Sequence, residues 1–361
     1  MTSLRNRRTP LGWTPSLLLL AACASEEAPV VTEAPLPSWT FDAAMVFPAD
    51  RSLVRPEDGV ALADGRLIVT DQVNGLRLVL PDGSSQPFGT MIAAGYRHAP
   101  PANPGGANGI SLEPGGTHAI VADIFGGAIY RVDVTSGATE KVYQHTYGIN
   151  AAIRDSRGTI WFTQSARNTP EEGEGRMWAA VDIPAAEGAV LRLEMDGDRP
   201  AGAAQVVADS LFFANGIALD EANGDLYIAE IVAGRVWRFR VDPATGALGE
   251  RSLFADSVAA DNLELDQDGN LWIASPLSGE LILANTATGE RHTAFRSQTP
   301  AQAATMAEFM RRGEAGESRL ALLTPELWAP LPGLVTGVIL PQGDGPVYLT
   351  TLGDALIRLP R

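Results

Sequence analysis

The chain has 361 residues, of which 45% are hydrophobic and 19% charged, so there is enough apolar material for a large core and no case for global disorder. The formal net charge of −16 argues against nucleic-acid binding, which depends on a basic surface. With one cysteine and four histidines, the chain has no disulfide framework and no thiolate zinc site, and a centre of several histidines is not indicated.

The N-terminus has the three parts of a secretory signal. Residues 1–8 are basic, residues 11–20 are apolar, and a Leu-Ala-Ala-Cys box ends at Cys23. The apolar run is too short to span a bilayer as a helix. The segment resembles a bacterial lipoprotein signal, which implies a lipidated Cys23, a flexible tether over residues 24–38 and an extracytoplasmic protein anchored to a membrane, in the periplasm or at the outer membrane. An ordinary signal, or an incidental apolar run, is the alternative.

The rest of the chain repeats one pattern six times. Each repeat has a polar residue, an alternating apolar strand, a turn rich in Gly and Asp, and a second strand, and a third strand follows most of them. The six segments are residues 57–71, 108–123, 150–164, 215–230, 261–275 and 336–351. None contains an amphipathic helix between its strands, which argues against a parallel sheet. We therefore predict an all-β six-bladed β-propeller with four-stranded blades over residues 39–361, closed by a strand within residues 41–47.

Two segments interrupt the repeat. Residues 165–188 lie within the third repeat, and residues 297–325 lie between the fifth and the sixth, where residues 301–323 favour a short helix. Long insertions in compact domains are often functional. Met177 and Trp178 are large apolar residues in the first insertion, so they either face a substrate or pack on the propeller surface.

A column of polar residues recurs at the start of the innermost strand of each repeat. Its members are Asp58, Asn108, Asn150, Asn215, Asp261 and Thr336. Glu57 precedes this column and Asn262 follows it. Because the first strands of all blades line the central channel, these side chains are expected to converge on the axis at one face. Carboxylate and amide oxygens in this number are typical ligands of Ca²⁺, although Asn and Asp also begin strands simply by capping turns.

A second column ends the second strand of each repeat. Its members are Asp71, Asp123, Gln164, Glu230, Ser275 and Thr351. Since the second strand runs antiparallel to the first, these residues return to the same face of the propeller. They are expected either to rim the site or to tie the blades together by hydrogen bonds.

The repeats and columns resemble the calcium-dependent six-bladed propellers that include paraoxonases, gluconolactonase and regucalcin, and the strictosidine-synthase-like proteins. The best-matched stretches are FANGIALDEANGDLYIAE at residues 213–230 and DNLELDQDGNLWIAS at residues 261–275. Carried over residue by residue, the resemblance implies Ca²⁺ as the cofactor, bound by Glu57, Asn150, Asn215, Asp261 and Asn262. A paraoxonase has a catalytic His where this chain has Asn108, and its partner His falls near Asp123, so that imidazole pair is absent.

The resemblance also implies an activity, that of a Ca²⁺-dependent lactonase or esterase acting as a monomer on a small-molecule lactone or ester. Asp261 is the first candidate for the general base, because the gluconolactonase branch is thought to use the matching residue, and Asp123 or Glu230 of the second column is the next. Asn108 would contact the substrate. The alternative is a non-catalytic propeller that binds a ligand or a protein partner and uses calcium only for rigidity. In both cases the membrane is involved only through the anchor at Cys23.

Overall fold

The computed structural model describes residues 36–101 and 103–360. The predicted signal and the predicted lipidation site, Cys23, lie outside the described residues, as does most of the predicted tether. The first strands are β1 (Trp39–Thr40) and β2 (Val46–Phe47), with a 3₁₀ turn, Ala43–Met45, between them.

The six repeats form six blades, which confirms the predicted propeller with four-stranded blades. Blade one contains β3 (Gly59–Ala61), β4 (Leu67–Asp71), β5 (Gly75–Val79) and β6 (Ser85–Phe88). Blade two contains β7 (Ala107–Leu112), β8 (His118–Asp123), β9 (Ala128–Asp133) and β10 (Thr139–Gln144). Blade three contains β11 (Ala152–Arg154), β12 (Ile160–Gln164), β13 (Gly188–Leu193) and, after the hairpin of β14 (Met195–Asp196) and β15 (Arg199–Pro200), β16 (Gln205–Leu211).

The remaining blades follow the same order. Blade four contains β17 (Ala214–Asp220), β18 (Asp225–Glu230), β19 (Arg235–Val241) and β20 (Leu248–Asp256). Blade five contains β21 (Leu263–Leu265), β22 (Asn270–Ser275), β23 (Glu280–Asn285) and β24 (Arg291–Arg296). Blade six contains β25 (Val335–Ile339), β26 (Val347–Thr351), β27 (Leu356–Leu359) and β2.

The N-terminal strands close the ring. β2 pairs antiparallel with β27, with Val46 opposite Ile357, which confirms a closing strand within residues 41–47. β1 adds a parallel edge to blade five, with Trp39 opposite Phe295. The last blade is therefore built from both ends of the propeller sequence, and this pairing closes the ring between blade six and blade one.

The core lies between neighbouring blades. Leu67 and Val69 of blade one, for example, pack in one cluster with Ile339 and Leu356 of blade six. Successive residues of a strand point to opposite faces of its sheet, so each blade contributes to the cluster on either side of it. The second strands are buried on both faces, and every residue of β4 and β18 is buried.

Two helices stand outside the repeat. α1 (Gly173–Asp182) lies in the first insertion, between β12 and β13, and α2 (Pro300–Ala315) lies between blades five and six, as predicted. A capping box formed by Thr299 and Gln302 begins α2, and Gly316 ends it in a left-handed conformation. In the described part of the chain, neither helix combines the length and apolar character needed to cross a membrane.

The sequence did not predict α1. Gly173 and Gly175 disfavour a helix, and no side chain caps its first turn. Met177 and Val181, one helical turn apart, are buried against the propeller, so that packing supplies the stability that the sequence of the helix lacks. Three further 3₁₀ turns are Ile231–Ala233, Leu320–Leu322 and Pro325–Leu327.

Candidate active site on the propeller axis

Beta-bulges change the course of the inner strands where the first-column residues lie. In blade four, the register of β17 against β18 shifts by one residue between Ala214 and Ile217, and Asn215 lies in the shifted stretch. The same shift surrounds Asn108 in blade two and Thr336 in blade six. An extra residue bends the strand and re-aims its side chains. Asn108, Asn215 and Thr336 all line the cavity on the axis.

Glycines let these strands approach one another. Gly216 follows Asn215, and a Cβ atom there would lie only 2.5 Å from the carbonyl oxygen of Asp261. A Cβ atom on Gly109 would lie 3.0 Å from the carbonyl oxygen of Asn150. Any larger residue would push neighbouring blades apart, so glycine after the polar residue keeps the blades close at the axis.

Hydrogen bonds join neighbouring blades around the whole axis. In order from blade one, the donor and acceptor pairs are Ile110 N–H to Asp58 Oδ2 (2.9 Å), Gly109 N–H to Asn150 O (2.9 Å), Thr163 Oγ1 to Asn215 O (2.6 Å), Gly216 N–H to Asp261 O (3.2 Å), Asn262 N–H to Thr336 O (2.9 Å) and Thr336 Oγ1 to Glu57 O (2.6 Å). Every blade takes part in this ring. The ring therefore holds the polar side chains of different blades in fixed relative positions.

A cavity of about 80 Å³ lies on the axis next to this ring. The volume is several times the roughly 10–15 Å³ that one water molecule needs. We call its polar residues the floor, and they are Arg55, Glu57, Asn108, Asn150, Asn215, Asp261 and Thr336. Four of the five predicted calcium ligands therefore meet here. The fifth, Asn262, is not among the lining residues and donates from Nδ2 to Glu57 Oε1 over 3.2 Å.

The floor contains buried oxygens without partners. Glu57 Oε2 and Asn215 Oδ1 have no hydrogen-bond donor among the described residues. Such atoms are rare in proteins and indicate a missing partner, here one of positive charge. No three His, Cys, Asp or Glu side chains of residues 36–101 and 103–360 form a metal-binding group, so amide oxygens are needed to complete a ligand set. Two carboxylates with amide oxygens, and no sulfur or imidazole, fit Ca²⁺.

Burial raises the pKa values of the floor carboxyl groups. The pKa of Glu57 lies well above its usual range because of burial and the charges of Asp261 and Asp58. Burial also raises the pKa of Asp261, against the effect of a hydrogen bond from Asn215. The charge of Arg55 opposes both shifts but does not cancel them. A cation at the floor would relieve the repulsion between these carboxylates.

Asp123 does not lie in the cavity. Its Oδ1 accepts hydrogen bonds from the backbone N–H groups of Phe125 (3.1 Å) and Gly126 (2.7 Å), and burial raises its pKa to about 6. Asp71 holds the matching turn of blade one in the same way. None of the six second-column residues lines the cavity, so the structure does not bring Asp123 to Asp261. Asp71 and Asp123 of the second column thus stabilise turns, whereas Glu230 accepts a hydrogen bond from the backbone N–H of Phe212, which precedes blade four.

The chain is similar to known proteins in sequence and in fold. Residues 127–317 match the SMP-30/gluconolactonase/LRE-like region. The chain belongs to this family. Its structure is similar to that of a gluconolactonase from Xanthomonas campestris, with a TM-score of 0.58 and 19% identity over 91% of this chain and 95% of that one. It is also similar to the calcium-binding protein regucalcin from Agrobacterium tumefaciens, with a TM-score of 0.57 and 14% identity over 90% and 95%. These likenesses establish the fold, and no curated protein matches the sequence.

Two lining residues of this SMP-30/gluconolactonase-type cavity that were not predicted share an unusual backbone conformation. Arg55 and Phe213 line it, and both have a left-handed backbone, with φ of 53° and 59°. Non-glycine residues rarely adopt this conformation, and such strain concentrates at functional sites. The guanidinium carbon of Arg55 lies 5.4 Å from the centre of the Phe125 ring. In the sequence, the feature that could have pointed to Arg55 is its positive charge two positions before Glu57.

The walls of the cavity are apolar, and both insertions contribute to them. α1 contributes Met177, Trp178 and Val181, α2 contributes Phe309, and the segment after α2 contributes Leu323. Met177 and Phe309 are each 2% exposed and belong to one hydrophobic cluster with residues of the propeller. Met177 and Trp178 thus pack against the propeller and line the cavity at the same time.

Proposed function

We propose that the protein is a Ca²⁺-dependent hydrolase that opens a lactone, or cleaves an ester, in the axial cavity. The observation that carries the proposal is the pair of unpartnered oxygens, Glu57 Oε2 and Asn215 Oδ1, on a floor that also holds Asp261. Membership of the gluconolactonase-like family supports lactone chemistry, and the likeness to a calcium-binding regucalcin supports the choice of metal.

The floor residues have separate roles in binding. Glu57, Asn150, Asn215 and Asp261 would hold the ion, and Asn262 would complete the set or fix Glu57 through their contact. Bound there, Ca²⁺ supplies a Lewis acid for the carbonyl oxygen of the substrate. The ring of hydrogen bonds between blades keeps these oxygens in place before the ion arrives.

Asp261 is the proposed general base. Its carboxylate takes a proton from water as the water oxygen bonds to the carbonyl carbon, the bond from that carbon to the ring or alkoxy oxygen breaks, and the proton passes to the leaving oxygen. The product of a lactone is a hydroxy acid. Asn108, held by its contact with Asn150 Oδ1 (3.2 Å), orients the substrate, and Arg55 places a positive charge near the developing oxyanion.

We also propose that the propeller works outside the cytoplasm, tethered by a lipid on Cys23. The proposal rests on the basic residues 1–8, the apolar residues 11–20 and the Leu-Ala-Ala-Cys box. A tether of about fifteen residues would leave the axial cavity accessible to small molecules.

The test of the proposed activity is steady-state hydrolysis of a panel of lactones and esters by the purified protein. Each compound is assayed with saturating Ca²⁺ and again with excess chelator. We expect hydrolysis that needs calcium and that returns when calcium is restored. Folded, calcium-loaded protein that hydrolyses no compound would instead favour a non-catalytic binding propeller, the alternative suggested by the missing imidazole pair at Asn108 and Asp123.

A further inference from the structure

We propose that the substrate carries a hydrocarbon arm, so that it is a lactone or ester with an alkyl or aryl substituent and not a polyhydroxylated sugar lactone. The inference rests on the proposed function and adds the chemical class of the substituent. It also assigns Trp178 and Phe309 as residues that determine specificity.

The cavity is polar only at its floor. Thirteen of its twenty lining residues are apolar. We call the apolar part supplied by the helices α1 and α2 the roof, and it consists of Met177, Trp178, Val181 and Phe309. A reacting carbonyl held at the floor therefore leaves the rest of the substrate among hydrocarbon side chains.

The roof offers little to a hydroxyl group. The one polar side-chain atom of Trp178, Nε1, already donates to Glu174 Oε1 over 2.9 Å, so the indole presents hydrocarbon to the cavity. Val181 and Phe309 have no hydrogen-bonding side-chain group, and Met177 has only its thioether sulfur, a weak acceptor that replaces water poorly. A sugar hydroxyl buried against them would lose its hydrogen bonds to water without compensation.

Some polar side chains of the floor already have hydrogen-bond partners within the protein. Thr336 Oγ1 donates to Glu57 O over 2.6 Å, and Asn108 Nδ2 donates to Asn150 Oδ1 over 3.2 Å. The groups that remain are the ones that the metal and the reacting carbonyl would use. Several substrate hydroxyls at once would thus compete for few polar partners.

The roof is a packed structure that does not depend on a ligand. Arg319, which is fully buried, donates from Nε to Val181 O over 2.8 Å, and its guanidinium carbon lies 4.2 Å from the centre of the Phe309 ring. The Arg319 side chain therefore contacts one wall residue from each insertion, Val181 and Phe309. An apolar wall that is fixed in advance favours an apolar arm, because little ordering is needed on binding.

The experiment compares three six-membered lactones that share the reacting ring. δ-Valerolactone has no arm, δ-decanolactone has a pentyl arm, and D-glucono-δ-lactone is polyhydroxylated. Burial of a methylene group is worth roughly fourfold in kcat/KM, so we expect δ-decanolactone to exceed δ-valerolactone by about 30-fold or more in the calcium-loaded protein. D-Glucono-δ-lactone should be the poorest substrate.

Variants of the roof test its part in this preference. Trp178→Gln should reduce the ratio of kcat/KM between δ-decanolactone and δ-valerolactone about tenfold, mainly through KM, and Trp178→Phe should keep most of it. The matched control is Ile183→Gln, which changes an apolar residue that follows α1, is 52% exposed and lies outside the cavity lining. It should leave the ratio unchanged.

Binding is measured separately from turnover. Six-membered lactams with and without the pentyl arm are titrated into the calcium-loaded protein by calorimetry. The arm should tighten binding in the wild type and much less in Trp178→Gln. These wild-type comparisons remain decisive if Trp178→Gln does not fold.

Each outcome has a distinct meaning. A preference of the wild type for D-glucono-δ-lactone, or no gain from the arm in turnover and binding, would overturn the inference and leave the hydrolase proposal intact. Arm-dependent lactam binding without hydrolysis of any lactone would overturn the hydrolase proposal and leave an apolar ligand site. A wild-type protein that neither hydrolyses a lactone nor binds a lactam would contradict the hydrolase proposal and the inference about the arm.

Discussion

Asp182, the last residue of α1, accepts hydrogen bonds from the backbone N–H groups of Arg319 and Leu320, each over 2.7 Å. Ser318 Oγ donates to the same carboxylate over 2.8 Å. This contact joins residues 137 positions apart and ties the first insertion to the second. It therefore keeps together the two segments that form the roof of the cavity.

Asp182→Ala should loosen this junction. It leaves two backbone N–H groups without their acceptor, so we expect a loss of about 1–3 kcal/mol in unfolding free energy, measured in urea. Hydrogen exchange of residues 318–320 should accelerate. Asp196→Ala, in the exposed outer hairpin, is the control and should change neither quantity. Equal effects from both substitutions would contradict the junction.

Chelation should destabilise the protein. A metal that binds only the folded state adds about 2.7 kcal/mol when its concentration is a hundred times Kd, which corresponds to a rise in Tm of about 4 °C for a domain of this size. Asn215→Ala removes one unpartnered oxygen and should abolish most of that rise. Asn223→Ala, in an exposed turn of the same blade, should keep it. If the Tm does not change when chelator is added and elemental analysis finds no bound metal, the calcium site is wrong.

Asp261→Asn should abolish turnover. The amide retains an oxygen for the metal but cannot accept the proton from water, so kcat should fall by about 10²-fold or more while calcium still raises Tm. Asn108→Ala should cost less, because an amide there only orients the substrate. Asp123→Asn should also cost less, since its carboxylate holds a turn outside the cavity. A greater loss in Asp123→Asn than in Asp261→Asn would transfer the role of base to Asp123.

Asp123 should make stability depend on pH. Burial raises its pKa in the folded protein to about 6, above its value in the unfolded chain, so the folded state binds more protons and wild-type stability falls as pH rises from about 4 to 7. Asp123→Asn keeps an oxygen acceptor for Gly126 N–H without titrating. Relative to that of the wild type, its unfolding free energy should increase by about 1–3 kcal/mol as the pH rises from 4 to 7. A constant difference from pH 4 to pH 7 would contradict a raised pKa.

Cys23→Ser should release the protein from the membrane. Without a thiol the chain cannot be lipidated, so the product should lose its lipid mass and move to the soluble fraction of lysed cells. Mass spectrometry of the mature N-terminus and fractionation provide the measurement. A Cys23→Ser protein that is processed and retained on membranes like the wild type would show that the lipoprotein interpretation is wrong.

The sequence by itself determined the propeller and most of the floor. Strand alternation and Gly/Asp turns act over a few residues, so their recurrence was visible without knowledge of tertiary contacts. Because each repeat becomes one blade, equivalent positions in the repeats become equivalent positions around the axis. Asn150, Asn215 and Asp261 could for this reason be assigned to one site although they are distant in sequence.

Only the tertiary structure decided what surrounds that floor. α1 forms because Met177 and Val181 pack against the propeller. The hydrogen bond between Asp182 and Arg319 requires contact between the two insertions, and no local sequence pattern predicts that contact. The direction of the Asp123 side chain could not be predicted from the sequence either. The order of the strands places this residue on the face of the propeller that carries the site, but its carboxylate accepts hydrogen bonds from the turn that follows. Repeats specify backbone position by local periodicity, whereas cavity walls depend on packing between segments that the periodicity does not include.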